Sequence, residues 1–286
     1  MPASKSSREP KLSLIICSRN RAKKLAQCLA SIRHEEMEAV GGELVLINNG
    51  STDETEQIML KYQQEARFPV LLGSEPVPGL SRARNRGLLL SGGETIVFTD
   101  DDCSLAGGYL LLAGRIFESG AFDYCGGQTV LGDESDARVG YNTFDDYAIL
   151  RPRKFIPAGT IQGANMLFHR RVVDKVGDFD CMLGAGTEFP SEDIDYVARA
   201  SFAGFTGAKV PQLVVYHDHG RKPGTSENAI LRAYDHGRGA YYAKFLMKGK
   251  VGFLFHWIWQ SSFERTRDIP TELTGAWRYI VKRMTE

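Results

Sequence analysis

The stretch LSLIICSRNRAKKLAQCLASI, residues 12–32, decides the fold. Its first part, LSLIIC (12–17), is a continuous apolar run without alternation, as expected of a strand buried on both faces, and its second part sets apolar residues at helical spacing. A buried strand feeding a helix is one unit of an α/β sheet. ELVLIN (43–48) and the following NGSTDETEQIMLKYQQEA repeat the unit, with Ser51, Thr52 or Asp53 available as helix caps. PVLLG (69–73), GLSRARNRGLLLSGG and ETIVFTD (94–100) then give a third strand, a third helix and a fourth strand. This alternation predicts a parallel, doubly wound sheet whose ligands gather at the carboxyl ends of its strands.

The second half is less regular. DYCGGQTVLG reads as a strand with a turn, GANMLFHR as a strand, SEDIDYVARASFAG as a helix and AKVPQLVVYH as a last strand, together completing a mixed sheet. Three helical segments rich in aromatic and basic residues follow. They predict a division into a flexible N-terminus (1–10), an α/β domain (11–222) and a helical C-terminal extension (223–286). VGFLFHWIWQ places aromatics near Lys248, Lys250, Arg265 and Arg267. Such a segment either packs on the domain or lies in a membrane interface.

Composition narrows the class. The 286 residues are 43% hydrophobic and 24% charged, with 35 basic residues balancing 35 acidic ones, so no net charge points to nucleic acid. Cys17, Cys28, Cys103, Cys125 and Cys181 show neither CxxC pairs nor zinc-ligand spacing and read as reduced thiols. The polar N-terminus shows no signal-peptide segment, and no run approaches the roughly 18 apolar residues of a membrane span, which predicts a cytoplasmic protein.

The apolar run ETIVF ends in TDDDC (99–103), which crowds Asp100, Asp101 and Asp102 at the mouth of a strand. Asp100 and Asp102, spaced D-x-D, can present oxygen ligands to Mg2+ or Mn2+. Acidic residues capping the next turn are the other reading. CSRNR (17–21), INNGSTDET (47–55) and GLSRARNRG (79–87) also sit at strand ends and can line one crevice, where Arg82 and Arg84 could meet phosphate or else lie on a solvated helix face.

Four blocks together resemble family 2 glycosyltransferases, inverting enzymes of GT-A fold that use nucleotide-diphosphate sugars: CSRNR, INNGSTDET, ARNRG with IVFTDDD, and SEDIDYVAR. The resemblance covers about residues 11–220. It implies that Ser18, Arg19, Asn48, Asn49 and Asp53 meet the nucleotide, with Arg84, Asp100 and Asp101 also on the donor and Asp100 and Asp102 on Mn2+ or Mg2+. Many relatives carry Asp where this chain has Asn48, and an amide both donates and accepts, so base choice stays open.

SEDID brings Glu192, Asp193 and Asp195 to a helix start, where acidic side chains also favour the helix dipole. The resemblance makes Asp193 the candidate for the base that takes the acceptor hydroxyl's proton, with Glu192 beside it either sharing the catalytic role or holding the acceptor, a choice the sequence leaves open. In VVYHDHG (214–220), His217 is similar to the ligand that completes the metal site and is preferred over His219 as closer to the strand end. Gly163, Ala164 and Asn165 resemble the segment that lines the sugar and acceptor; a buried strand is the alternative. The long segment 131–163 is expected to move or to bind acceptor.

WRYIVKR does not match the QxxRW-type order of processive polymerases, so transfer of one sugar at a time is expected. The donor is expected to be a UDP-sugar and the acceptor a saccharide or lipid-linked molecule. A nucleotidyltransferase would carry a glycine-rich, basic loop after the first strand, which CSRNR is not. A non-catalytic sugar-nucleotide binder of the same fold is the remaining alternative.

Overall fold

The computed structural model describes residues 10–263 and 267–285. The expected flexible N-terminus falls almost wholly, and Arg265 entirely, outside the described residues. The first half runs β1 (Leu12–Ser18), α1 (Ala22–Ala30), α2 (His34–Ala39), β2 (Gly42–Asn48), α3 (Thr55–Glu65), β3 (Val70–Ser74), α4 (Leu80–Leu90) and β4 (Thr95–Asp100). β1, β2 and β4 are buried along almost their whole length, as their unbroken apolar runs require of parallel strands covered on both faces. Glu43 is the polar exception within β2. It is buried, and its Oε1 accepts hydrogen bonds from Ser13 Oγ and Gly92 N, both at 2.6 Å.

The second half adds β5 (Cys103–Leu105), α5 (Tyr109–Ala113), β6 (Tyr124–Leu131), β7 (Ala148–Leu150), β8 (Met166–His169), α6 (Arg170–Val176), α7 (Glu192–Phe202) and β9 (Gly207–His217). Neighbouring strands lie in the order β3-β2-β1-β4-β8-β6-β9-β5, with β7 paired to β9. β1 pairs in parallel with both β2 and β4, so the chain reverses its winding direction beside β1 and leaves a crevice at the ends of β1 and β4. Cys17 of β1 lies opposite Asp100 of β4 there. β8 runs antiparallel between β4 and β6, and the sheet is mixed.

β5 pairs antiparallel with β9, with Cys103 opposite His217. This register brings the end of the TDDDC segment against the end of the last strand. The backbone N–H of Asp218 donates to the Asp102 carbonyl at 2.8 Å.

The extension forms α8 (Thr225–Met247), α9 (Gly252–Phe263) and α10 (Ile269–Thr285). α8 is anchored on the domain by Lys244, which meets Asp195 of α7 at 2.6 Å and Asp180 at 2.8 Å. A Cβ built on Gly237 would stand 2.3 Å from the Pro190 carbonyl oxygen, and one on Gly239 would stand 1.9 Å from that of Glu272. Only glycine lets α8 approach the Pro190 loop and α10 this closely. Arg267 is not a surface charge: with Arg238 it encloses the fully buried Glu272, at 2.5 Å and 2.7 Å.

Candidate active site

A cavity of about 540 Å³ opens at the crevice. Its walls come from the ends of β1 and β4, the start of α7, the end of β9 and the face of α8. Ser18, Arg19, Asn49, Arg84, all three aspartates of TDDDC, Gly163, Ala164, Glu192, Asp193 and His217 line it, which brings most of the residues expected from sequence into one place.

The floor is an ordered network of charge. Ser18 Oγ donates to Asp101 Oδ2 at 2.6 Å, and Arg21 reaches Asp101 Oδ1 and Asp102 Oδ2, each at 2.8 Å. Burial pushes Asp101 up to about 6, against the pull of Arg21 and Ser18. Burial acts the same way on Asp102, but contact with the His217 imidazole and the charge of Arg21 outweigh it and hold Asp102 at about 2. For His217 burial would lower the pKa, and Asp102 wins, so its pKa is raised.

Asp102 Oδ1 is fully buried without a hydrogen-bond donor aligned on it, and His217 Nε2 lies 3.2 Å away. His217 Nδ1 lies 3.2 Å from the Gly140 carbonyl. Asp102 favours the protonated ring, and a cation that displaced the Nε2 proton would leave the other on Nδ1 facing the Gly140 carbonyl, with the Nε2 lone pair free to bind it. A carboxylate oxygen and an imidazole nitrogen this close can share one divalent cation, and the nitrogen suits Mn2+ better than the oxygen-seeking Mg2+. The Cys103 Sγ is near both, but burial raises that thiol well above its usual range and keeps it protonated.

Asp100 departs from the expected ligand set. Its Oδ1 turns to Arg84 Nη2 at 3.2 Å instead of joining Asp102 and His217. His219 is turned away as well: its Nε2 lies 3.1 Å from the Ala137 carbonyl and its Nδ1 accepts the Arg221 N–H at 3.0 Å. Burial and the neighbouring His217 lower its pKa.

Arg84 is 2% exposed. Its Nη1 donates to Glu192 Oε1 at 2.8 Å, and Nη2 serves Asp100 and the Gly163 carbonyl, so carboxylates occupy the fork that the sequence suggested for phosphate. Asp193 accepts from the backbone N–H of Gly163 at 2.9 Å and of Ile194 at 2.7 Å. Burial raises both Glu192 and Asp193, with Arg84 opposing it.

Four expected residues do not reach the cavity. Asp53 accepts the N–H groups that open two helices, Ala22 of α1 and Thr55 of α3, at 3.1 and 3.0 Å, so the cap reading describes its contacts. Asn48 Oδ1 accepts the Ser51 N–H at 2.9 Å in a local turn. Asn165 is fully buried, donating to the carbonyls of Gln128 and Leu213 and accepting from Tyr109 OH, so no polar atom is left to face a sugar. Arg82 is exposed on α4.

Conversely, Arg21, Arg221, Tyr234 and Arg238 line the cavity without having been singled out. Arg21 closes the quoted CSRNR block. Tyr234 and Arg238 come from α8, and glycines inside that helix were the available signal of close docking.

Comparison with known proteins bears on the fold and the family. A glycosyltransferase from Haloferax volcanii, AglE, is 25% identical over 198 residues, 69% of this chain and 63% of the relative, so this chain spans less than two thirds of that protein. The structure of the mannosyltransferase PcManGT from Pyrobaculum calidifontis, solved with GDP-Man and Mn2+, superposes with a TM-score of 0.62 at 16% identity, over 84% of this chain and 65% of that one. S. aureus TarS with UDP-GlcNAc gives 0.57 at 18% identity, over 82% and 71%. These likenesses establish the GT-A fold. Residues 13–177, more than half of the chain, match the family described as glycosyl transferase family 2, and it is to this family that the chain belongs.

Proposed function

We propose that this protein is an inverting glycosyltransferase that moves one sugar from a nucleoside-diphosphate donor to a hydroxyl of a saccharide or lipid-linked acceptor. The observation that carries this is the placement of the Asp102–His217 pair and Asp193 in the walls of one cavity. Ser18, Arg19 and Asn49 border the nucleotide, and Gly163 and Ala164 border the sugar. Asp193, steadied by two backbone N–H groups, takes the acceptor proton as the acceptor oxygen bonds to the anomeric carbon. The bond from that carbon to the diphosphate breaks on the opposite face, which inverts the centre.

Asp102 and His217 would hold Mn2+ or Mg2+, which when bound supplies positive charge against the diphosphate leaving group. The donor is proposed to be a UDP-sugar. PcManGT carries GDP-Man and TarS carries UDP-GlcNAc, so uridine and guanosine nucleotides are the first to compare.

Calorimetric titration with UDP, GDP, dTDP and CDP, each with and without Mn2+, tests the reading. Binding of one nucleotide that requires Mn2+ and is lost in Asp102→Ala supports it. No binding of any removes it, and nucleotide binding without sugar transfer leaves a non-catalytic binder.

A further inference from the structure

Arg21 is delivered to the floor of the cavity by a tightly held turn. Asn20, just before it, has φ +54°, a left-handed conformation that asparagine tolerates better than most residues. Hydrogen bonds to the segment after β2 keep the turn in that shape. Ser51 Oγ accepts the Asn20 N–H at 3.0 Å, Thr55 Oγ1 that of Arg21 at 3.3 Å and Asp53 Oδ2 that of Ala22 at 3.1 Å, while Asn20 Oδ1 accepts the Thr52 N–H at 2.7 Å. The side chain of Arg21 thus starts from a fixed point beside Asp101 and Asp102.

Its guanidinium spans the two carboxylates, with Nη1 on Asp101 and Nη2 on Asp102. Both acids are buried, whereas 36% of the Arg21 side chain is exposed. Asp102 is therefore flanked by nitrogen on both sides, Oδ2 by Arg21 and Oδ1 by His217. A divalent cation on Oδ1 and His217 would sit one carboxylate away from a permanent positive charge. The guanidiniums of Arg84 and Arg238 also line the cavity, but they are tied to Glu192 and Asp100, and to Asp235 and Glu272, and not to Asp102. Two of the five N–H groups of Arg21 make its carboxylate bonds, which leaves others for an anion entering the cavity that it lines.

We infer that Arg21 is a resident cation of the metal site, which holds the affinity for a lone divalent cation down and draws the diphosphate in beside it. Its charge opposes a divalent cation at Asp102 and attracts a diphosphate in the same place, so metal and nucleotide enter together rather than metal first. The inference rests on the proposed function, because it takes Mn2+ and a nucleoside diphosphate as ligands. If Arg21 served only to hold Asp101 and Asp102 in position, its loss would weaken the metal site instead of strengthening it.

The test uses the full chain at mildly alkaline pH, as wild type, Arg21→Gln and Arg21→Lys. Mn2+ alone is titrated by paramagnetic resonance, and UDP and GDP are titrated by calorimetry at saturating Mn2+. Arg21→Gln should bind Mn2+ alone about tenfold tighter or more and bind nucleotide several-fold more weakly. Arg21→Lys keeps the charge and should keep a metal affinity near that of wild type. A folding defect weakens both ligands and does not give shifts of opposite sign. Asp101→Asn removes one carboxylate and leaves Arg21 in place, so it should weaken Mn2+ binding, and it serves if Arg21→Gln does not fold. Unchanged or weaker Mn2+ binding by Arg21→Gln overturns the inference, as does unchanged Mn2+ binding by Asp101→Asn. If wild type binds both ligands while Arg21→Gln weakens both, the transferase reading stands and this inference falls; wild type that binds neither removes both.

Discussion

Arg84 donates to Glu192 at 2.8 Å and so ties α4 to the first turn of α7 with two side chains that scarcely reach solvent. Arg84→Met leaves Glu192 without its cation inside the protein and Asp100 without its partner at the cavity wall. Breaking a buried pair from one side costs about 3 to 5 kcal/mol. Urea denaturation should show a loss of that size at pH 8, where Glu192 is mostly ionised, and a smaller one at pH 6, where protonation relieves the unpaired acid; a change below about 1 kcal/mol at both would mean that the pair does not hold α4 to α7.

Asp193→Asn keeps the shape of the side chain and removes its basicity. Transfer should fall on the order of 10² to 10⁴-fold, as for loss of a general base. Nucleotide affinity should stay within a few-fold by calorimetry, because Asp193 opens α7 whereas Ser18 and Arg19, proposed to meet the nucleotide, lie at the end of β1. Near-normal transfer by this variant would exclude Asp193 as the base.

Burial gives the Glu192–Asp193 pair a raised affinity for protons, with Glu192 pushed up to about 7. The folded protein then binds more protons than the unfolded chain between the ordinary carboxylate range and about pH 7, so the pair's contribution to stability declines as pH rises through that window. Ionisation of the base follows the opposite course. The acid limb of kcat/KM should therefore lie well above the usual carboxylate range, as a property of the pair rather than of one residue. A limb near pH 4 would contradict this.

Gly140 has φ +63°, and a Cβ there would stand 3.1 Å from His217 Cε1. Gly140→Ala strains the backbone and shifts the imidazole that the Gly140 carbonyl orients. Partners of this kind typically change metal affinity by about 10 to 100-fold. Mn2+ titration followed by paramagnetic resonance should show weakening of that order, and unchanged affinity would mean that the carbonyl does not set the ring.

Gly239→Ala pits helix propensity, a gain of about 1 kcal/mol, against a Cβ placed 1.9 Å from a backbone oxygen. The clash wins because neither backbone can yield without moving α8 or α10. Thermal melting should drop, and limited proteolysis should release the extension first.

Much of the parallel half was legible because its strands are unbroken apolar runs that only a doubly covered sheet accommodates. The short elements α2, α5, α6, β5 and β7 were not, since a few residues cannot display a period. At the site, the D-x-D spacing pointed to Asp100 and Asp102 and the family resemblance to Asp193 and His217, but neither showed which residues these would bond. Arg84 reads as a phosphate binder until the fold sets Glu192 beside it, and Asp53 and Asn165 read as ligands until backbone groups claim them. Tyr234 and Arg238 lay hidden because a helical pattern does not say where the helix docks.

The β5–β9 register has a consequence for how the protein assembles. Asp102 and His217 are far apart along the chain and meet only when the last strand of the sheet pairs with β5. Contacts of such sequence separation form late, after the entropy of closing the intervening loop has been overcome. A divalent cation held by that pair would bind the finished sheet and not its precursors, stabilising it by mass action. The appearance of Mn2+ affinity during refolding would thus time the closure of the sheet, and a chain ending before His217 would lack that signal however well its first half folds.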